Sequence, residues 1–346
     1  MFKLLNPILS LLPPETAHKT VMFCLKMARH IPGARAAARI FHKPDSKGLA
    51  RELFGVNFPN PVGLAAGFDT NGEYYNELAD YGFGFIEIGS LTPKPQMGNE
   101  TPRLFRLPKD NALVSRMGTA NNGVRYAIEQ IKQRHPKVVI GANVTRNTST
   151  PTSEAYKDYE RSVAMLYDFV DFFVLNVSYP DSHDSTGLHD IVTISQIVDS
   201  VMNIRRYNDE SLPILLKISH GLSHSQLDEI IDLSLMSGID GIVAGNAAHD
   251  RNNLRNTSGK ALEKVGEGVM SGAPLFESTL DTVRYIHQKS GGILPVIASG
   301  GIMTPEQAAQ MLDAGASLIE VYTGFVYNGP DFVRKIVKHL KKRGDK

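Results

Sequence analysis

Lys217 is the residue whose type and setting say most about chemistry. It ends the apolar run Ile214-Leu215-Leu216. A lysine there carries its ammonium into a buried mouth, where a charge without a partner is costly, so an anionic or electron-accepting ligand is expected beside it. A structural salt bridge is the alternative. Other apolar runs end in small or amide side chains: Ala65-Ala66-Gly67, Gly89-Ser90, Asn143, Asn176-Val177-Ser178-Tyr179, Asn246, Ser299-Gly300-Gly301 and Tyr322-Thr323-Gly324. Small residues let a flat ligand reach the backbone, and Asn offers both donors and an acceptor. Together they predict a planar, redox-active cofactor over the mouth of the fold, with Lys217 stabilising negative charge on its reduced ring. Gly300-Gly301 followed by Thr304, Pro305 and Glu306 reads as a glycine turn into a capped helix. With Gly272 and Tyr322-Thr323-Gly324 it predicts a phosphate pocket.

These ends need strands to position them. Eight β-rich runs, each followed by a helical pattern, cover Pro61–Phe68, Ile86–Thr92, Val138–Val144, Phe172–Ser178, Pro213–Ser219, Gly241–Ala247, Val296–Gly301 and Leu318–Gly324. Strands alternating with helices imply parallel βαβ units, and eight of them imply an α/β fold, the closed (β/α)8 TIM barrel. Two long insertions, 94–120 and 248–275, follow strands and so belong to the face where barrels place active sites.

Composition narrows the function classes. At 42% hydrophobic and 21% charged over 346 residues, the chain is neither disordered nor fibrous. The single cysteine, Cys24, excludes an intrachain disulfide and a cysteine zinc site, and no metal is expected. No secretory signal or membrane-spanning run is legible, which gives a cytoplasmic location as the default. The formal net charge of +1 hides +6 on residues 1–43 and +6 on 334–346, leaving −11 on the body. That distribution argues against nucleic-acid binding and leaves a membrane surface as a partner for the ends. Leu4, Leu5, Ile8, Leu9 and Leu12 share a helical stripe. After Pro13-Pro14, Thr16 is expected to cap a second helix carrying Val21, Met22, Leu25, Met27 and Ile31 up to Pro32-Gly33. Residues 1–45 thus read as a helical hairpin, apolar on one side and basic on the other, and 46–346 as the barrel.

The stretches Asn60-Pro-Val-Gly-Leu-Ala-Ala-Gly-Phe-Asp69, Gly82-Phe-Gly-Phe-Ile-Glu-Ile-Gly-Ser90, Leu91-Thr-Pro-Lys-Pro-Gln96, Pro102-Arg-Leu-Phe-Arg106, Arg116-Met-Gly118 and Tyr322-Thr-Gly-Phe325 resemble the dihydroorotate dehydrogenases. Pro14-Glu-Thr-Ala-His18 resembles the class 2, membrane-associated, quinone-using branch. The resemblance implies flavin mononucleotide (FMN) bound by Ala66, Gly67, Ser90, Asn143, Asn176, Lys217, Gly272, Gly301, Tyr322 and Thr323. It implies a quinone tunnel passing His18 and Arg103, peripheral attachment to the inner face of the cell membrane, and pyrimidine biosynthesis as the setting. Gly245 stands where the branch usually has Thr.

The substrate positions depart from the family pattern. Thr70 replaces a Lys, Ser115 an Asn, Thr119-Ala120 a Phe-Asn pair, and Ala247 a Thr beside the retained Asn246. Arg116, Met117 and Gly118 are kept. Asn176-Val-Ser-Tyr-Pro-Asp181 places Tyr179 where the family has its Ser base, and Asp181 where it has Asn. Orotate is a carboxylate, so losing a Lys and gaining an Asp both disfavour it, and lost amides leave ring carbonyls unpaired. A phenol transfers protons but is larger than a hydroxymethyl group. The sequence therefore predicts an FMN-dependent oxidoreductase with dihydroorotate as default substrate and a pocket poorly suited to it. A divergent flavoprotein acting on another ring, or serving only in binding or redox sensing, stays open.

Overall fold

The computed structural model describes residues 11–178, 190–208 and 211–344. Tyr179, Asp181 and most of the Leu4–Leu12 stripe lie outside the described residues.

The strands, in chain order, are β1 Arg51–Leu53, β2 Val56–Phe58, β3 Val62–Leu64, β4 Phe85–Leu91, β5 Leu104–Leu107, β6 Ala112–Ser115, β7 Val139–Val144, β8 Phe172–Asn176, β9 Ile214–Lys217, β10 Gly241–Ala244, β11 Val269–Gly272, β12 Val296–Ser299 and β13 Leu318–Val321. Eight of them close a parallel barrel in the order β3-β4-β7-β8-β9-β10-β12-β13. These are the eight runs expected from the sequence. Side chains alternate along each strand, as a period of two requires. Ile86 and Ile88 point outward to the helices, while Phe85 joins Phe172, Val174, Leu215, Val243, Ile297 and Leu318 inside. Phe58, from the antiparallel β1–β2 pair, plugs the N-terminal end, with ring centroids 5.4 Å from Phe85 and 6.1 Å from Phe172.

Two interior glycines make room for those rings. A Cβ on Gly63 would lie 2.1 Å from Phe85 Cζ, and one on Gly141 would lie 2.3 Å from Phe172 Cζ. The apolar layer is therefore packed to contact, and the next layer towards the C-terminal ends is polar.

The insertions meet. The hairpin β5–β6 pairs antiparallel with β11 from the second insertion, Val114 opposite Met270. This three-stranded sheet stands as a wall beside the mouth over its own small core of Leu107, Val114, Met270 and Leu275.

The N-terminal segment differs in detail from the sequence reading. The helix begins at Pro14, not after a Thr16 cap, and ends at Ala28. Proline suits a first helical position because its fixed φ is helical and its missing N–H is not needed there. Thr16 lies within the first turn, where its carbonyl accepts the Thr20 hydroxyl at 2.8 Å. The chain turns at Gly33, with φ 81°, into a further helix Ala34–His42 that the apolar stripe did not reveal. The short helix Tyr75–Ala79 and its flanks anchor this segment: Arg29, just past the first helix, donates to the Glu73 carbonyl at 3.2 Å. Asp80 receives Arg35 Nε at 2.6 Å and Arg39 Nη1 at 3.0 Å, and buried Glu77 takes both its bonds from Arg134, at 2.5 and 2.6 Å.

Candidate active site

One cavity of ≈ 740 Å³ runs from under the helix Pro14–Ala28 down to the polar layer of the barrel. That is the size of a cofactor-and-substrate site. Ala66, Gly67, Ser90, Asn143, Asn176, Lys217, Gly272, Gly301, Tyr322 and Thr323 all line it. So do Thr70, Ser115, Met117, Thr119 and Asn246, and, near its entrance, His18 and Arg103. Arg116 and Gly118 are not brought to it. Arg116 donates to the carbonyls of Val265 and Glu267, at 2.6 and 2.9 Å, and lies over the Phe105 ring. It ties the two insertions together. The Gly118 carbonyl accepts Gln96 Nε2 at 3.2 Å.

The floor is ionic. Lys217 Nζ lies 3.1 and 3.0 Å from the two oxygens of Glu87 and 3.3 Å from Glu320 Oε2. The chain itself supplies the anionic partner that the sequence reading sought in a ligand. Glu87 and Glu320 were missed. Their signal was an acid two residues beyond an inward apolar residue, Phe85 and Leu318, on strands that otherwise read as apolar. Burial works to raise the Glu87 carboxyl, but Lys217 and the Asn143 amide hold it below its ordinary range. Burial and the neighbouring Glu87 charge push Glu320 well above its own.

Asn143 donates to Glu87 at 2.5 Å, which leaves its buried carbonyl oxygen without a partner. Asn143 belongs to the cavity lining, and a buried acceptor without a partner there matches an N–H group brought by a ligand. The imide edge of a flavin ring carries such a group, so the donor set fits flavin chemistry. On the neighbouring β8 and beyond the end of β10, Asn246 Nδ2 donates to Ser178 Oγ at 2.5 Å, and that hydroxyl donates to Asn176 Oδ1 at 2.5 Å. Asn176 Nδ2 in turn reaches Ser90 Oγ at 3.1 Å. Ser271 and Thr323 hydroxyls meet at 2.8 Å beside Gly272. Thr304 caps the helix Pro305–Asp313 in a capping box with Gln307.

The substrate wall is short of charge. Among the described residues lining the cavity, Lys217 is held by two carboxylates, Arg103 and Lys19 both pair with Glu15 at 3.1 Å, and Lys26 is exposed at the rim. Burial keeps His18 below its ordinary pKa, hence neutral, with its ring edge-on to Phe68 at 5.2 Å. Asp69, beside Thr70, is pushed up to about 6 by burial while accepting the N–H groups of Glu73 and Tyr74 at 2.8 and 2.7 Å. Thr119 holds a left-handed φ of 52°, an outlier for a β-branched residue. Its carbonyl takes the amides of Gln96 and Asn121, at 3.1 and 2.8 Å, which fix that conformation.

Residues 48–343 match the family described as Dihydroorotate dehydrogenase. The chain belongs to the dihydroorotate dehydrogenase family. It is 38% identical to the dihydroorotate dehydrogenase (quinone) of Christiangramia forsetii, over 99% of this chain and 100% of that one. The enzyme of the same name from Coxiella burnetii is 40% identical, with 98% and 96% covered. Among solved structures, the ligand-free enzyme (DHODH) of Eimeria tenella superposes with a TM-score of 0.85 at 30% identity, over 96% of this chain and 95% of that one. The resemblance read from the motifs and the (β/α)8 barrel both stand.

Gly245 has a structural reason in this member of the family. Its φ is +99°, and a Cβ there would lie 2.4 Å from the Ser299 carbonyl and 3.0 Å from His220 Nε2. The His220 imidazole fills the space beside it, 3.4 Å from Thr279 Oγ1. Burial lowers His220 to about 4. A histidine kept neutral in the fold contributes stability that is present above its unfolded pKa of ~6.5 and is lost as pH falls through about 4. The contribution is roughly 3 kcal/mol when complete. Thermal unfolding followed between pH 7 and 4 should therefore fall more steeply for the native protein than for His220→Gln. Parallel curves would show that His220 is not held neutral.

Proposed function

We propose that this protein is an FMN-dependent dehydrogenase that passes electrons from a bound ring substrate to a quinone. The observation that carries the reading is the cavity floor, where paired Lys217 and Asn143, with its buried oxygen left over, line one space with Gly67, Gly272 and Gly301. Ala66, Gly67, Asn143, Asn176 and Lys217 would hold the ring, and Gly272, Gly301 and Thr323 the phosphate. Bound there, FMN supplies the hydride acceptor. Lys217 would place positive charge beside the ring, Asn143 would help fix its orientation, and the wall β5–β6–β11 would limit access of water. His18, Phe68 and Arg103 line the way out beneath the helix Pro14–Ala28, the side from which a quinone would enter. Phe23, Met27 and Ile31 on one segment, and Ile40 and Phe41 on the next, are exposed among Lys19, Lys26, Arg39 and Lys43. No helix among the described residues is long and apolar enough to cross a membrane. We read this face as a peripheral contact with anionic lipid on the inner side of the cell membrane. Phe23→Glu with Phe41→Glu should release the protein from anionic vesicles in a sedimentation assay. Binding that survives the double change would leave the hairpin a purely structural element.

Dihydroorotate is the substrate of the named relatives. The absence of a free inner cation among the described residues favours a second reading here, a ring that is less anionic than dihydroorotate. Tyr179 would have to take the substrate proton in place of a serine. Losing a matched base costs roughly 10²–10⁴ in rate, and an unpaired carboxylate more. Purified protein should be yellow with one FMN per chain, yet turn over dihydroorotate with a soluble quinone at least ~10²-fold more slowly than ordinary members of the family. Thr70→Lys, Ser115→Asn, Thr119→Phe, Ala120→Asn, Tyr179→Ser, Asp181→Asn and Ala247→Thr together should raise that rate. Colourless protein that takes up no FMN would sink the flavin reading. Ordinary turnover that survives Tyr179→Phe would sink the altered-substrate reading.

A further inference from the structure

The floor of the cavity holds two carboxylates and one ammonium, all shut off from solvent: Lys217 is 3% exposed, and Glu87 and Glu320 are 0%. If all three are ionised, the set carries one uncompensated negative charge in a place that water does not reach. Such a charge is costly, and carboxylates sharing a site resolve it by keeping a proton. The geometry says which one keeps it. Glu87 takes Lys217 on both oxygens and the Asn143 amide as well. Glu320 has the longer Lys217 contact, with the Ser299 hydroxyl and the Glu87 carboxylate also beside it; the bond to Glu87 favours its protonated form, and no closer partner meets its buried Oε1. Around Glu320, β9 contributes Lys217 and β4 contributes Glu87. The adjoining β12 offers the uncharged Ser299, and β3 on the other side offers Val62, Gly63 and Leu64.

We propose that Glu320 holds a proton at neutral pH and thereby leaves Lys217 with a single counter-ion, which makes Glu320 a positioning residue acting through Lys217 on the electron affinity of a ring bound above it. With the proton in place the floor is neutral, and the ammonium field reaches the ring. Without it the floor is negative, and electrons entering the ring are repelled. The first half stands on the chain alone; the second half rests on the flavin reading.

Infrared difference spectra of the full chain as purified, native minus Glu320→Gln, test the first half. The native protein should show the carbonyl band of an un-ionised carboxyl at neutral pH, shifted in heavy water and absent from the variant. In the native protein alone that band should titrate away at alkaline pH, a reading that needs no variant. A spectrum without such a band overturns the proposal. The reduction potential of bound FMN against pH tests the second half. The native potential should fall additionally as Glu320 ionises, and Glu320→Gln should lose that step while keeping the rest of the curve. Identical curves, with the infrared band lost, overturn the link through Lys217. Protein that takes up no FMN overturns the flavin reading and the second half with it, while the infrared comparison still decides where the proton is.

Discussion

The site depends on one constraint, the burial of the Lys217 ammonium at the centre of a barrel. An isolated charge there is untenable, and Glu87 from β4, with Glu320 from β13 beside it, makes it tenable only because three strands converge to hydrogen-bond distance. The apolar layer below fixes where that convergence happens. Phe58, Phe85 and Phe172 fill the barrel to contact, helped by the missing side chains at Gly63 and Gly141, so the next inward positions form a level floor. Glu87, Asn143, Lys217 and Glu320 occupy it. Asn143 is turned by Glu87 so that its oxygen is left over. The ion pairs thus orient a buried acceptor that a flavin imide edge could meet.

Above the floor, the architecture is a matter of walls and a roof. The β5–β6–β11 sheet joins two insertions far apart in sequence, and Arg116 reinforces it with bonds to the Val265 and Glu267 carbonyls. The roof is the helix Pro14–Ala28, held through Arg103 to Glu15 and, beyond the turn, through Arg35 and Arg39 to Asp80. Phe68 sits between roof and barrel, edge-on to His18 at 5.2 Å, Tyr322 at 5.5 Å and Phe325 at 5.6 Å. The space under the roof and the space over the floor are one continuous cavity, with Phe68 and Tyr322 among its lining.

The barrel was legible because period-two apolar runs with polar ends are dictated by the strands themselves. All eight runs became barrel strands, and the Gly-Gly turn before Thr304-Pro305 became the capped helix start it resembled. What sequence patterning could not show were contacts between distant strands. Glu87 and Glu320 look like blemishes in apolar strands until the closed barrel brings them to Lys217. His220 has meaning only beside Gly245, and the pairing of β6 with β11 joins segments about 150 residues apart. Thr16 misled because a threonine after a proline pair resembles a cap, whereas Pro14 already suits the first helical position. Arg116 misled because a retained motif residue was taken to face the ligand, when its bonds brace the wall instead.

On the proposed reading, the two halves of the site depart unequally from the family pattern. By the resemblance, the side proposed for FMN keeps nearly all its residues, Gly245 aside, while the side proposed for the substrate has Thr70, Ser115 and Ala120 where the family has a Lys and two Asn. The most direct test of this account is a crystal structure of the FMN-loaded protein. It should place the ring over Lys217 with its imide N–H on the Asn143 oxygen, the phosphate at Gly272, Gly301 and Thr323, and Lys217 still held between Glu87 and Glu320. A flavin bound elsewhere, or a Lys217 that abandons both carboxylates when the ring is present, would contradict it.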